Sequence, residues 1–126
     1  MTEYIPGVCN IGYAEIQGRR RVGLIGIGVS FLLFVSFMLF HIPVIYRIII
    51  FFPLISAAAG FLQAYFHFCA GFGFRGVYNV LKPIGQTETI EQQEFRKKDK
   101  QKALKITIMA CTIGIILTII IYLLPF

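Results

Sequence analysis

The stretch Ile48–Phe74, IIIFFPLISAAAGFLQAYFHFCAGFGF, decides the fold. An α-helix rises 1.5 Å per residue, so ~20 apolar residues cross the ~30 Å hydrocarbon core of a bilayer. No charge interrupts this run between Ile48 and Phe66. Ser56, Gly60 and Ala64 recur at every fourth position and so share one helix face, where small side chains let a second backbone approach closely. The run also carries Gln63 and His67. Facing lipid, these two groups would be left without hydrogen-bond partners at a cost of several kcal/mol. They are therefore predicted to face protein or a wet crevice.

Two further runs have the same character. Val22–Phe40 and Ile106–Leu124 carry no charge and are also long enough to span. The chain of 126 residues is 57% hydrophobic and only 14% charged. Soluble domains average about 25% charged residues, interleaved rather than in blocks. The composition thus predicts an all-α integral membrane protein with three transmembrane helices. The predicted segments are a surface segment (1–21), span one (22–40), a hairpin (41–47), span two (48–70), a Gly-rich segment and loop (71–89), a basic helix (90–105) and span three (106–126).

The net charge of +6 is distributed in a way that argues against nucleic acid as the partner. Arg19, Arg20 and Arg21 abut span one, and Arg75, Lys82, Arg96, Lys97, Lys98, Lys100, Lys102 and Lys105 lie between spans two and three. Only Arg47 falls at the other end. The positive-inside rule then places the N-terminus in the cytoplasm, the C-terminus outside and the third helix extending into the cytoplasm. A multi-pass protein of the plasma membrane, a bacterial inner membrane, is the expected setting, with membrane lipids as partners. Span one is predicted to be retained as an anchor, because its apolar run is longer than a signal peptide's and no A-x-A follows it.

Within the first segment Asn10 is a candidate helix cap, and Glu15 lies four residues before Arg19, a favourable pairing distance. His41 and Pro43 end span one. Tyr46 and Arg47 suit an interfacial aromatic and a snorkelling cation. Pro53 sits in the first turn of span two, where it costs little. Thr89 and Gln92 fit a capping box for a helix starting near Ile90, and Glu94 is in register with Lys98. On span three Ala110, Gly114 and Thr118 repeat the four-residue spacing and predict a mate for the Ser56, Gly60 and Ala64 stripe.

Few residues carry chemistry. Cys9, His67 and Cys69, with Glu15 nearby, fall at one membrane face and are of the types that bind Zn²⁺, Fe or Cu, so they form the candidate metal or thiol site. Their spacing is no zinc-knuckle pattern. His67 and Cys69 would point about 200° apart on a helix and could share an ion only where the helix unravels, at Gly71, Gly73 and Gly76. Cys111 reads as a packing residue. No Asp or Glu lies inside a span, against a carboxylate proton pump, and no phosphate-binding glycine fingerprint is present. The expected function is a small non-enzymatic membrane subunit packing through small-residue faces into a homo-oligomer or a larger membrane complex. Alternatives are the metal- or thiol-bearing site and an oligomeric channel lined by Ser56, Gln63 and His67.

Overall fold

The computed structural model describes residues 3–125. Met1, Thr2 and Phe126, at the ends of the predicted first and last segments, lie outside the described residues. The chain is mostly helical: α1 (Tyr13–Leu39), α2 (Phe51–Phe66), α3 (Ala70–Arg75) and α4 (Gln93–Leu123), with a 3₁₀ segment (Val44–Ile50) leading into α2. Two short antiparallel strands, β1 (Val77–Tyr78) and β2 (Glu88–Thr89), pair Val77 with Thr89 and Tyr78 with Glu88. Three helical stretches are long and apolar enough to cross a membrane: Tyr13–Leu39, Val44–Phe66 and Gln93–Leu123. By length and composition they are three candidate spans of a multi-pass membrane protein.

In this layer α2 packs on both α1 and α4, and those two make no extensive contact with each other. Small residues set the approach to α1. A Cβ at Gly60 would lie 2.6 Å from the Gly23 nitrogen and 2.7 Å from the Arg19 carbonyl oxygen, and one at Gly26 would lie 2.8 Å from the Ala57 nitrogen. Such backbone contact requires glycine and replaces hydrophobic collapse as the source of adhesion between helices in lipid. On the other side, Gly114 of α4 receives Ile55 and Phe51 of α2. The predicted pairing is thereby corrected. Gly60 packs against α1, Ala64 is buried in a cluster with Ile11 and Ile16, Ala110 is buried, and Gly114 meets the bulky Ile55 and Phe51 of α2. Ser56 is exposed. The reason is angular: α2 has two neighbours, and its small residues at positions 57, 60 and 64 face α1. The hydroxyls within the layer turn back on their own helices. Ser30 donates to the Gly26 carbonyl and Thr118 to the Gly114 carbonyl, both at 2.7 Å, so neither is left unpaired.

The two histidines end two of the helices. His41 (φ 49°) follows the end of α1 and His67 (φ 55°) caps α2, each in the left-handed conformation that terminates a helix. Span two as predicted (48–70) is thus shorter than expected as an α-helix, beginning as a 3₁₀ turn and ending at Phe66. The break that follows is held by Gln63, whose side-chain amide donates to Ala59 O and accepts from Ala70 N at 3.0 Å. Gln63 is therefore a local brace across the α2–α3 junction.

Two other boundaries move. The first helix starts at Tyr13 with Gly12 at its N-cap, so Asn10 is free for another use. The last helix starts after Gln92 at its N-cap, while Thr89 belongs to β2 and its pairing with Val77 replaces the capping box. Arg47, expected to snorkel, is buried at 2% exposure instead. Its guanidinium donates to the carbonyls of Ile121 (3.2 Å), Tyr122 (3.4 Å) and Leu124 (2.8 Å), at the negative end of the α4 dipole.

Candidate functional site

The basic end of the helical layer carries a folded polar head made of residues from five parts of the chain. Its centre is Asn10. Where the chain leaves α2, the left-handed His67 and the extended Cys69 expose backbone groups that a helix would have paired. Asn10 fills that gap. Its side-chain oxygen accepts from Cys69 N at 2.6 Å, its Nδ2 donates to Cys69 O at 3.1 Å, and its backbone N–H donates to His67 O at 3.2 Å. Its own carbonyl accepts from Asn79 N at 2.9 Å, and Gly12 N donates to Asn79 O at 2.8 Å, so the N-terminal segment lies as a strand beside residue 79. Gly12 is tightly constrained, since a Cβ there would stand 1.9 Å from the Val80 carbonyl oxygen.

A second network starts at Glu15, which is 2% exposed. Its Oε2 pairs with Arg19 at 2.7 Å, the spacing expected one helical turn apart. Its Oε1 accepts from Gly85 N at 2.7 Å and from Asn79 Nδ2 at 3.1 Å. Asn79 shapes the 79–85 loop from within by donating to Pro83 O and accepting from Lys82 N. Arg19 extends the chain of contacts, donating to Cys69 Sγ at 2.9 Å and stacking its guanidinium 5.4 Å from the Phe72 ring centre.

Asp99 is a third anchor. Fully buried on α4, it accepts from the Tyr4 hydroxyl and from Gly7 N, both at 2.7 Å. Tyr4 in turn stacks on Tyr78 with ring centres 4.5 Å apart. Burial, followed by the hydrogen bond to Asp99, raises the Tyr4 pKa well above its ordinary value. Burial likewise pushes the Cys9 thiol up. On the exposed strand pair, Glu88 accepts from Tyr78 at 2.7 Å and pairs with Lys82 at 3.0 Å, and these two contacts hold its carboxyl below the usual range.

The candidate metal residues are distributed among these networks. Cys9 is buried and donates to Ile11 O at 3.3 Å, Cys69 is buried against Arg19, and His67 sits in the chain break. Among the described residues no group of three or more His, Cys, Asp or Glu side chains is disposed to hold a metal ion. The expected convergence of Cys9, His67 and Cys69 is corrected accordingly. The two thiols are occupied by a carbonyl and a guanidinium, and Asn10, next to Cys9, bonds the backbone of His67 and Cys69.

The residues that build the head, Tyr4, Asn10, Gly12, Asn79 and Asp99, were not singled out as a site by sequence. Asp99 alone carried a visible signal, as the single acid inside the basic run Arg96–Lys105. The side chains left facing solvent gather in grooves. One of about 540 Å³ is lined by Arg20, Phe61, Ala64, Tyr65 and His67, and another of about 460 Å³ includes Arg21, Pro83 and Ile84 in its lining. Compared with known families, curated proteins and solved structures, the chain matches none of them.

Proposed function

We propose that this chain is a small non-enzymatic membrane subunit, which assembles with copies of itself or with other membrane proteins and presents a rigid polar head at the membrane surface. One observation carries the reading. The head's buried groups with chemical potential, Glu15, Arg19, Cys69 and Asp99, are all engaged with one another or with backbone, whereas the helical layer is open. With α1 and α4 on either side of α2, large apolar side chains such as Leu24, Phe31, Phe52 and Ile116 point outward. A layer of this shape offers its free faces to lipid or to further helices.

The head is assigned to the cytoplasmic side of a plasma membrane, a bacterial inner membrane. All but one of the 12 Lys and Arg residues lie at its end of the spans, which supports that orientation. Extraction in mild detergent followed by native mass measurement tests the reading. Assemblies heavier than the 14.3 kDa chain are expected, and a lone monomer at every concentration overturns it.

A further inference from the structure

Arg19, Arg20 and Arg21 are consecutive on α1, so each points about 100° from the last. Arg19 turns inward to Glu15 and Cys69, Arg21 lines the groove beside Pro83 and Ile84, and Arg20 lines the groove on the α2 side with His67 and Tyr65. Among the described residues the Arg20 guanidinium, the His67 imidazole and the Tyr65 hydroxyl have no hydrogen bond or ion pair within the chain. They are thus available to a ligand, unlike the buried Glu15 and Asp99 of the head. The three also border the same space of about 540 Å³, within the range of small-molecule sites.

We propose that this groove holds the phosphate of an anionic phospholipid, with Arg20, His67 and Tyr65 around the headgroup and Phe61 and Ala64 against its acyl chain. The guanidinium supplies paired N–H donors that match phosphate oxygens, and both imidazole and phenol can donate as well. Depth sets the choice of ligand. Arg20 stands two residues before the apolar run of α1, and His67 directly follows the last residue of α2. The groove therefore straddles the polar–apolar boundary, where headgroups lie and where tyrosine is enriched. Its apolar floor distinguishes a lipid phosphate from free phosphate. His67 is fixed there by the chain break, because its left-handed backbone ends α2 and its carbonyl accepts from Asn10.

A basic protein attracts anionic lipid diffusely, by about 1 kcal/mol per residue near the surface. The test must separate a seated lipid from that background. Purified protein is titrated with phosphatidylglycerol or phosphatidylcholine and lipid retention is read by native mass spectrometry. Retention of phosphatidylglycerol over phosphatidylcholine is expected, reduced about tenfold by Arg20→Gln, the loss of roughly one charge-assisted contact. His67→Asn, which keeps a residue tolerant of the left-handed conformation, reduces it as well. Arg21→Gln, with the same charge change one residue away, leaves it within about twofold, the change that screened surface charge permits. Thermal unfolding of each variant confirms an intact fold, and Arg20 is exposed, so its loss leaves the core alone. Equal loss in Arg20→Gln and Arg21→Gln would mean diffuse attraction and overturn the site. Displacement of phosphatidylglycerol by equimolar inorganic phosphate would make it a soluble-anion site and overturn the lipid.

Discussion

Arg19 and Arg47 both turn inward, at opposite ends of the same helical layer, and they are stabilised in different ways. Arg19 meets a carboxylate, a thiol and an aromatic face, contributed by Glu15, Cys69 and Phe72. Arg47 meets the last carbonyls of α4. Both reach far along the chain, but the first ties several segments together at once, because Glu15 also accepts from Asn79 and Gly85. The second joins one residue to one helix end. The polar end therefore behaves as a network that fails as a unit, and the other end as a local clamp.

The sharpest way to break that distinction is at Gly12. A Cβ 1.9 Å from the Val80 oxygen has no room, and the backbone shift it forces would pull Gly12 N from Asn79 O and loosen the Asn10 plug. Gly12→Ala is expected to lower stability by about 3 kcal/mol, the upper range for overpacking, seen as a large drop in Tm in detergent. Gly28→Ala on the same helix is the control. Its Cβ would meet nothing within 4 Å, so Tm should hold or rise slightly with the better helix propensity of alanine. A wild-type Tm for Gly12→Ala would mean that the N-terminal segment is not docked.

The next contrast concerns the arginines themselves. Glu15→Gln removes the charge opposite Arg19 and weakens bonds to two loop donors. Breaking a buried pair costs ~3–5 kcal/mol, and because the Arg19 side chain retains 18% exposure the low end is expected. Arg47→Met keeps the apolar stem and loses the donors to the α4 end, an expected cost of about 1–2 kcal/mol. The order of the two Tm shifts is the result that matters. If Arg47→Met is the more damaging, the clamp carries more of the fold than the network does.

These differences explain what was readable in advance. The spans were legible because apolar runs such as Val22–Phe40 and Ile106–Leu124 are dictated by the bilayer alone, with no knowledge of neighbours. The Glu15–Arg19 pair was legible because it is local to one helix turn. The end of α2 was only half legible: the glycines after Phe68 signalled weakness, but the stop at Phe66 depends on Asn10 being present to satisfy Cys69. Asn10 and Cys69, Tyr4 and Asp99, or Gly12 and Val80 meet across long stretches of sequence, and no periodicity encodes such meetings. The cysteines were misread for the same reason. Cys9 and Cys69 belong to segments that do meet, yet the side chain that joins them is that of Asn10, whose role is set by tertiary contact.

The smallest expected effect separates the two ends by pH. Tyr4 and Cys9 have ordinary pKa values of 10.0 and 9.0, and both are raised in the folded head, chiefly by burial. Below pH 9 each group is protonated whether folded or unfolded, so its contribution is intact. Above those values the unfolded chain releases protons that the folded head still holds, and stability falls as pH rises. The Arg47 clamp at the other end contains neither group. Tm is expected to be level between about pH 7 and 8.5 and to decline above about pH 9 to 10, with a shallower decline in Tyr4→Phe. The phenylalanine variant loses the bond to Asp99 and starts from a lower Tm, so the slope against pH, rather than its absolute value, is the quantity to compare. An unchanged slope in Tyr4→Phe would place the alkaline sensitivity outside the Tyr4–Asp99 contact.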